Sequence, residues 1–387
     1  MFNFDRIPDR SGTNSFKWDW KWRGKSSEIL PMWVADMDFE APPEVIAAIM
    51  DRAKHGVYGY TFYPQSYFES IINWFDSMHD YKIKREWILT IPGVVPGISF
   101  AIQAFTLPGD GIIVQPPVYS PFYKVISELG RKIILNPLKE RNGYYEMDFE
   151  NLLNIIDDRT KMLILCSPHN PVGRVWRKEE LLELGKICLK HNILVVSDEI
   201  HCDIVYSPHK HTVFSSLSKE ISDISLVLTA PSKTFNIAGL QMGNAIIPNF
   251  ELRKRYKALL KSHHLVMSNL FGIVATEVAY KYGKQWLEEL LVYLKGNVDF
   301  VQAFLQKNIP EVRLTIPEGT FLLWLDFRQF REDINKMLLS NNLWLSDGNE
   351  FGFGGKGFQR MNIATSRDII KKAMNIIKST VESVKKV

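Results

Sequence analysis

Cysteine is scarce: the 387 residues hold three, Cys166, Cys188 and Cys202. Their number is odd, their spacing wide, and no Cys-x-x-Cys pair occurs, which speaks against a disulfide framework or a zinc site and leaves free core thiols. An excess of one charge is also lacking. Lys and Arg number 47 against 43 for Asp and Glu, a formal charge of +4. The signs interleave, as in Lys178-Glu179-Glu180, so the basic stripe of a nucleic-acid binder is missing and no nucleic-acid partner is expected. No apolar run approaches the ~20 residues that span a bilayer. The start, MFNFDRIPDRSGTNSFKW, has no basic flank, apolar stretch and small-residue cleavage site in succession. A soluble cytoplasmic protein with no membrane partner is the expectation. Repeats at solenoid periods and low-complexity segments are missing as well.

What is present is the composition of a globular chain, 46% hydrophobic and 12% aromatic, long enough at roughly 150 residues per domain for two or three domains. Between about residues 88 and 247, short β-rich apolar runs (WILTI, GIIVQ, KIIL, MLILC, ILVVS, SLVLT, GNAIIP) alternate with amphipathic stretches such as KEELLELGKICLKHN. That alternation predicts an α/β fold with a mostly parallel, doubly covered sheet. From about 250 to 307 the pattern is long helices. The remainder, VRLTI, TFLLWLDF, LWLS, QRMNIA and a helix from Ser366, predicts a smaller α/β layer. The first 45 or so residues have too little apolar periodicity to fold alone and are expected to pack on it, giving a large domain of 46–285 and a discontinuous small domain of 1–45 and 286–387.

Ligands of parallel sheets sit beyond the carboxyl ends of the strands, so the residues following each run matter most. SLVLT leads to Ser232-Lys233: a lysine in a partly dry pocket acts as a Schiff-base amine, although most lysines are solvated surface charges. ILVVS leads to Asp198-Glu199-Ile200-His201; an aspartate there can hold a pyridine nitrogen protonated, or simply cap a helix. MLILC leads to Ser167-Pro168-His169-Asn170-Pro171, presenting Asn170 to a phenolate oxygen or forming an ordinary Asn-Pro turn. ILTI is followed by Pro92-Gly93-Val94-Val95-Pro96-Gly97 and a helical pattern, an anion site at a helix N-terminus. GIIVQ leads to Tyr119, whose ring can stack on a flat cofactor or close the core.

Two motifs are set aside. GFGGKG at 352–357 matches G-x-G-x-x-G but precedes a strand instead of following one and opening a helix, so no nicotinamide site is expected. His209 and His211 sit among Pro, Lys and Thr and read as a surface loop rather than a metal site.

Together, Tyr119, Asn170-Pro171, Asp198 with His201, Ser232-Lys233 and Arg360 follow the order and spacing of the fold-type I pyridoxal-phosphate enzymes, and the chain resembles the class I/II aminotransferase family along nearly its whole length. Trp33-Val34-Ala35-Asp36-Met37-Asp38-Phe39 and Tyr58-Gly59-Tyr60 resemble its MalY/PatB-type cystathionine β-lyase branch of carbon–sulfur lyases.

The resemblance implies pyridoxal 5′-phosphate as cofactor and a sulfur-containing amino acid as substrate, with an aminotransferase, or a lyase with an added protein-binding role, as the alternatives. It implies that Lys233 tethers the cofactor and moves protons at Cα, Asp198 pairs with the ring nitrogen, and Asn170 bonds the ring hydroxyl. His201 stands where many relatives have a tyrosine. Tyr119 covers the ring, and Val94, Val95 and Ser232 hold the phosphate. Arg360 grips the substrate carboxylate, its alternative being a salt bridge on an edge strand, and Ala35 lies beside the substrate. Gln241 replaces the arginine that many aminotransferases set against the phosphate. A homodimer with shared active sites is also implied. Tyr60 then reaches the partner's phosphate, or else is a buried aromatic bonded within its own subunit; Ser268-Asn269 marks a second cross-subunit contact. Trp18, Trp20, Trp22 and Trp33 are candidates for an apolar pocket wall.

Overall fold

A computed structural model describes residues 2–19, 29–265 and 267–384. Its centre is a seven-stranded sheet. In spatial order the strands are Ile88–Ile91, Gly243–Ile246, Ser225–Thr229, Leu194–Asp198, Thr160–Cys166, Gly111–Val114 and Lys132–Leu135. All run parallel except Gly243–Ile246, which is antiparallel to both neighbours.

The strands read as continuous apolar runs because both faces are covered. Ile112, Val114, Ile164 and Val196 pack with Ile98, Ile102 and Phe122 from the helices Val94–Phe105 and Pro121–Glu128. Their neighbours Ile113, Leu163, Leu165 and Val195 point the other way, onto Leu181, Leu184 and Cys188 of the helix Lys178–Lys190. A period of two on each strand therefore supplies two cores.

A second sheet is antiparallel, in the order Arg313–Thr315, Leu322–Asp326, Phe358–Asn362, Ser346–Asp347. The helix Arg367–Val384 buries Ile370, Ala373, Met374, Ile377 and Val381, a single helical stripe, against the same core. The chain start joins this layer: Leu30–Pro31 pairs in parallel with Leu343–Trp344, and Phe4 packs edge-on against Trp286 at 5.7 Å. Residues 2–19 are pinned through Asp38, 2% exposed, which receives Arg10 at 2.9 Å, Lys17 at 2.9 Å and the Trp18 indole at 2.8 Å. Among the described residues no helix is long and apolar enough to cross a membrane.

Candidate active site

Val94, Val95, Tyr119, Asn170, Asp198, His201, Ser232 and Lys233 all line one cavity of about 220 Å³. Asp198 ends its strand, and Lys233 lies in the four-residue helical turn Pro231–Thr234 that follows Ser225–Thr229. Asn170, Tyr119 and His201 line the cavity from the loops after their strands. Val94 and Val95 open the helix Val94–Phe105, whose N-cap Gly93 offers no side chain to its first amides, so those N–H groups remain for an anion; the Ser232 hydroxyl joins them at the rim. Gly97 lets that helix press on the sheet, since a Cβ there would lie 2.5 Å from Ile91 Cδ1. Ala35 closes the cavity from the chain start, and its carbonyl accepts a 2.6 Å hydrogen bond from Lys233 Nζ.

The electrostatics are those of buried, unmatched groups. Burial raises the Asp198 carboxyl to about 7. Among the described residues it accepts one hydrogen bond, from Ile200 N at 3.1 Å, and no ion pair. Burial lowers Lys233 to about 8, a poised amine at neutral pH, although nearby Asp36 and Asp198 favour its charge. His201, 3% exposed, is pushed down to about 3 by burial first and then by Lys233 and Arg360, so it is neutral, and among the described residues its Nδ1 has no hydrogen-bond partner. Burial likewise raises the Tyr119 phenol.

Arg360 stands beside this cavity. Its strand, Phe358–Asn362, is flanked on both sides, so the edge-strand alternative does not apply, and the residue is 6% exposed. It donates to Asn170 Oδ1 at 3.1 Å, the Trp33 carbonyl at 2.7 Å and Ser346 Oγ at 3.0 Å. All three acceptors are neutral, so among the described residues the buried guanidinium has no carboxylate in an ion pair, with Glu350 acting on it only through its charge; burial lowers it to about 10.

Several expectations are revised. His211 is not a surface residue: its side chain is 2% exposed and meets Glu199 Oε2 at 2.7 Å. Glu199 also receives Ser197 Oγ at 2.8 Å and Phe214 N at 2.9 Å, so of the two adjacent acids only Asp198 faces the cavity. His209 is exposed as expected. Tyr60 is 97% exposed and therefore not a buried aromatic of its own subunit. Asn269 caps the helix Leu270–Tyr282 through Phe271 N and Gly272 N. Gln241 is exposed and stands apart from the residues lining the cavity. Trp20 and Trp22 lie outside the described residues; Trp33 stacks on Trp344 at 4.5 Å and Trp18 bonds Asp38.

Sequence reasoning missed the groups that hold the lysine turn. Thr234 Oγ1 donates to the buried Asp203 at 2.7 Å, which also binds His79 at 2.7 Å and the Trp74 indole at 3.0 Å. His79, Cys202 and Asp203 have the makings of a metal site, but both Asp203 oxygens are already taken by these donors. Cys166 also lines the cavity, its thiol raised by burial.

Residues 27–377 match the family model described as aminotransferase class I and II. The chain belongs to that family. It is 43% identical to cystathionine beta-lyase PatB of Bacillus subtilis, over 97% of this chain and 99% of that protein. Among solved structures it resembles cystalysin of Treponema denticola, which contains a pyridoxal 5′-phosphate cofactor, with a TM-score of 0.95 and 36% identity over 99% of both chains. It also resembles the PLP-bound C-S lyase of Staphylococcus hominis, with a TM-score of 0.92 and 33% identity over 98% of both. The family is thus reached from the whole chain as well as from the cavity, and the α/β architecture with its largely parallel sheet is the family's fold.

Proposed function

We propose that this chain is a cytoplasmic pyridoxal 5′-phosphate-dependent carbon–sulfur β-lyase, converting cystathionine or a cysteine S-conjugate and water to a thiol, pyruvate and ammonia. One observation carries the reading: among the described residues a buried acid and a buried guanidinium, neither in an ion pair, and a half-buried amine lowered toward neutrality lie in or beside one cavity with an anion-binding helix start. Each is costly alone. A cofactor with a cationic ring nitrogen, an aldehyde and a phosphate, joined by an amino-acid carboxylate, satisfies all four, so the residues fit the cofactor.

Lys233 would tether the aldehyde, Asp198 hold the ring nitrogen, Tyr119 cover the ring, and the Val94 and Val95 amides with Ser232 take the phosphate. Asn170 has given its oxygen to Arg360, which leaves its Nδ2 to donate to the ring hydroxyl; the neutral His201 stands on the same wall. When bound, the cofactor withdraws electrons from Cα, making its proton acidic and a thiolate on Cβ expellable. Arg360 fastens the substrate carboxylate with a planar fork. Lys233, freed of its proton near pH 8, takes the one on Cα, and the departing sulfur is protonated. Water and an ammonium ion balance the release of pyruvate.

The same reading includes the division into a large domain, 46–285, and a small one built from both chain ends, with the substrate held between Lys233 on one and Arg360 and Ala35 on the other. It also includes a homodimer with shared sites. Val57, Tyr58, Tyr60 and Phe62 are 62%, 59%, 97% and 82% exposed, an apolar segment that suits the partner's surface, with Tyr60 reaching its phosphate.

Cystathionine supplied without any keto acid tests the reaction. Pyruvate and ammonia in equal amounts over many turnovers are expected. Activity that strictly requires a keto acid makes the chain an aminotransferase instead, and a colourless protein that Lys233→Ala leaves unchanged defeats both.

A further inference from the structure

The segment Trp33–Phe39 carries no strand or helix, so its peptide groups need partners from elsewhere. The Asp38 N–H finds the Ala364 carbonyl at 2.9 Å, and side chains supply most of the rest. The carbonyl of Trp33 accepts from Arg360 and Ser346, that of Val34 from Asn362 at 2.6 Å, and that of Ala35 from Lys233 at 2.6 Å. The carbonyl of Asp36 accepts from Asn362 at 2.6 Å, and that of Met37 from Arg10 at 3.1 Å and Asn236 at 3.0 Å. Phe39 completes the set, its carbonyl accepting from Asn236 at 2.7 Å.

Two asparagines carry most of this. The Asn362 amide bridges Val34 and Asp36, either side of Ala35, while its own oxygen is fixed by Ala364 N at 2.8 Å; the residue is 1% exposed. It sits two positions from Arg360 on the same strand, hence on the same face of the small sheet. Asn236 lies three residues beyond Lys233 at a φ of 55°, a conformation that asparagine tolerates better than most residues. It receives Met37 N at 3.0 Å as well as donating to Met37 and Phe39. One asparagine thus ties the segment to the strand of the substrate clamp, and the other ties it to the lysine turn.

Lys233 is the donor among them whose partner must change when it bonds the cofactor or takes a proton. The other ties do not depend on that change. We infer that Asn362 and Asn236 are positioning residues that hold Ala35 and the Trp33 carbonyl in place, fixing the wall against which the amino-acid substrate binds while Lys233 changes partners. This rests on the lyase reading for its substrate but not for its geometry. The interactions held in register are made to the bound substrate before and during reaction alike, so their loss shows in KM more than in kcat.

The experiment pairs amide hydrogen exchange on cofactor-free protein with steady-state kinetics on the holoenzyme, for Asn362→Ala, Asn362→Asp and Asn236→Gly. Glycine removes the side chain without straining the positive φ. Exchange at residues 33–39 is expected to quicken at least tenfold with the strand Leu194–Asp198 unchanged, and KM to rise at least tenfold with kcat within threefold. Asn362→Asp, the same shape with its donors replaced by a charge facing two carbonyls, should fall below Asn362→Ala; a role in packing alone predicts the reverse. Exchange that stays at the wild-type rate overturns the inference, as does faster exchange with KM within twofold of wild type. If Asn362 variants fail to fold, Asn236→Gly decides by the same two readings. Absence of wild-type turnover counts against the lyase reading, and exchange then decides the clamp by itself.

Discussion

Arg360 Nη1 donates to Asn170 Oδ1 at 3.1 Å, joining two side chains 190 positions apart. The bond orients the asparagine amide, so the residue proposed to grip the substrate also aims the one proposed to face the ring hydroxyl. Asn170→Asp keeps the shape but hands Arg360 the carboxylate it is meant to find in the substrate. A charge-assisted hydrogen bond of roughly 1.5–3 kcal/mol then works against binding, and kcat/KM for cystathionine should drop about 10- to 150-fold. Arg360→Lys should cost at least as much, since an ammonium cannot reproduce the fork. Kinetics within threefold of wild type for both would remove Arg360 from the site.

The adjacent acids Asp198 and Glu199 separate cleanly by substitution. Asp198→Asn should leave the cofactor-free fold at least as stable as wild type, since it removes a carboxyl that is costly to ionise in place, while turnover of the holoenzyme falls by two orders of magnitude or more because the electron sink loses its counter-charge. Glu199→Gln breaks the buried contact with His211, so a loss of about 3 kcal/mol in urea denaturation is expected, with kcat per folded molecule near wild type. Reversed phenotypes would mean that the cavity has been assigned to the wrong acid.

Without cofactor, Asp198, His201 and Lys233 pull the pH dependence of stability in opposite senses. Asp198 holds its proton up to about 7 in the fold, whereas the unfolded chain releases it near 3.8, so its contribution falls as pH rises through that interval. His201 offsets that fall: it binds a proton only below about 3 in the fold but below 6.5 in the unfolded chain, so its contribution rises between those values. Lys233 gives up its proton at about 8 in the fold and 10.5 in the unfolded chain, so stability rises between those values. Each contribution is on the order of a few kcal/mol. Urea midpoints across pH 4–10 on cofactor-free protein separate them: Lys233→Met should flatten the rise above pH 8, and Asp198→Asn should gain on wild type as pH rises from 4 to 7. One profile shared by all three proteins would contradict this.

Charge placed on the exposed aromatic segment should break the proposed dimer. Tyr60→Glu with Phe62→Glu is expected to turn a dimer into monomers at micromolar concentration in sedimentation velocity, with cofactor affinity lowered at least tenfold through loss of the Tyr60 contact. A dimer that withstands both changes locates the interface elsewhere.

Much of this molecule can be read from residues in a row. The seven apolar runs became the seven strands, because a strand buried on both faces writes its whole length in apolar side chains. The chemistry-bearing residues at their ends followed, since parallel strands deliver their carboxyl ends to one edge. Contacts between distant backbones and side chains left no such trace. Nothing in the order of residues announces that Asn362 reaches the carbonyls of Val34 and Asp36, or that Asp203 anchors Thr234. His211 misled for a related reason: its polar neighbours looked like a solvated loop, but what buries it is Glu199, twelve positions earlier.

The pairing of Leu30–Pro31 with Leu343–Trp344 sets the order in which competence can arise during synthesis. The segment that leads to the carbonyl over Lys233 is made more than three hundred residues before the strand it pairs with. A nascent chain can therefore build the central sheet and expose its reactive amine long before it can clasp an amino acid.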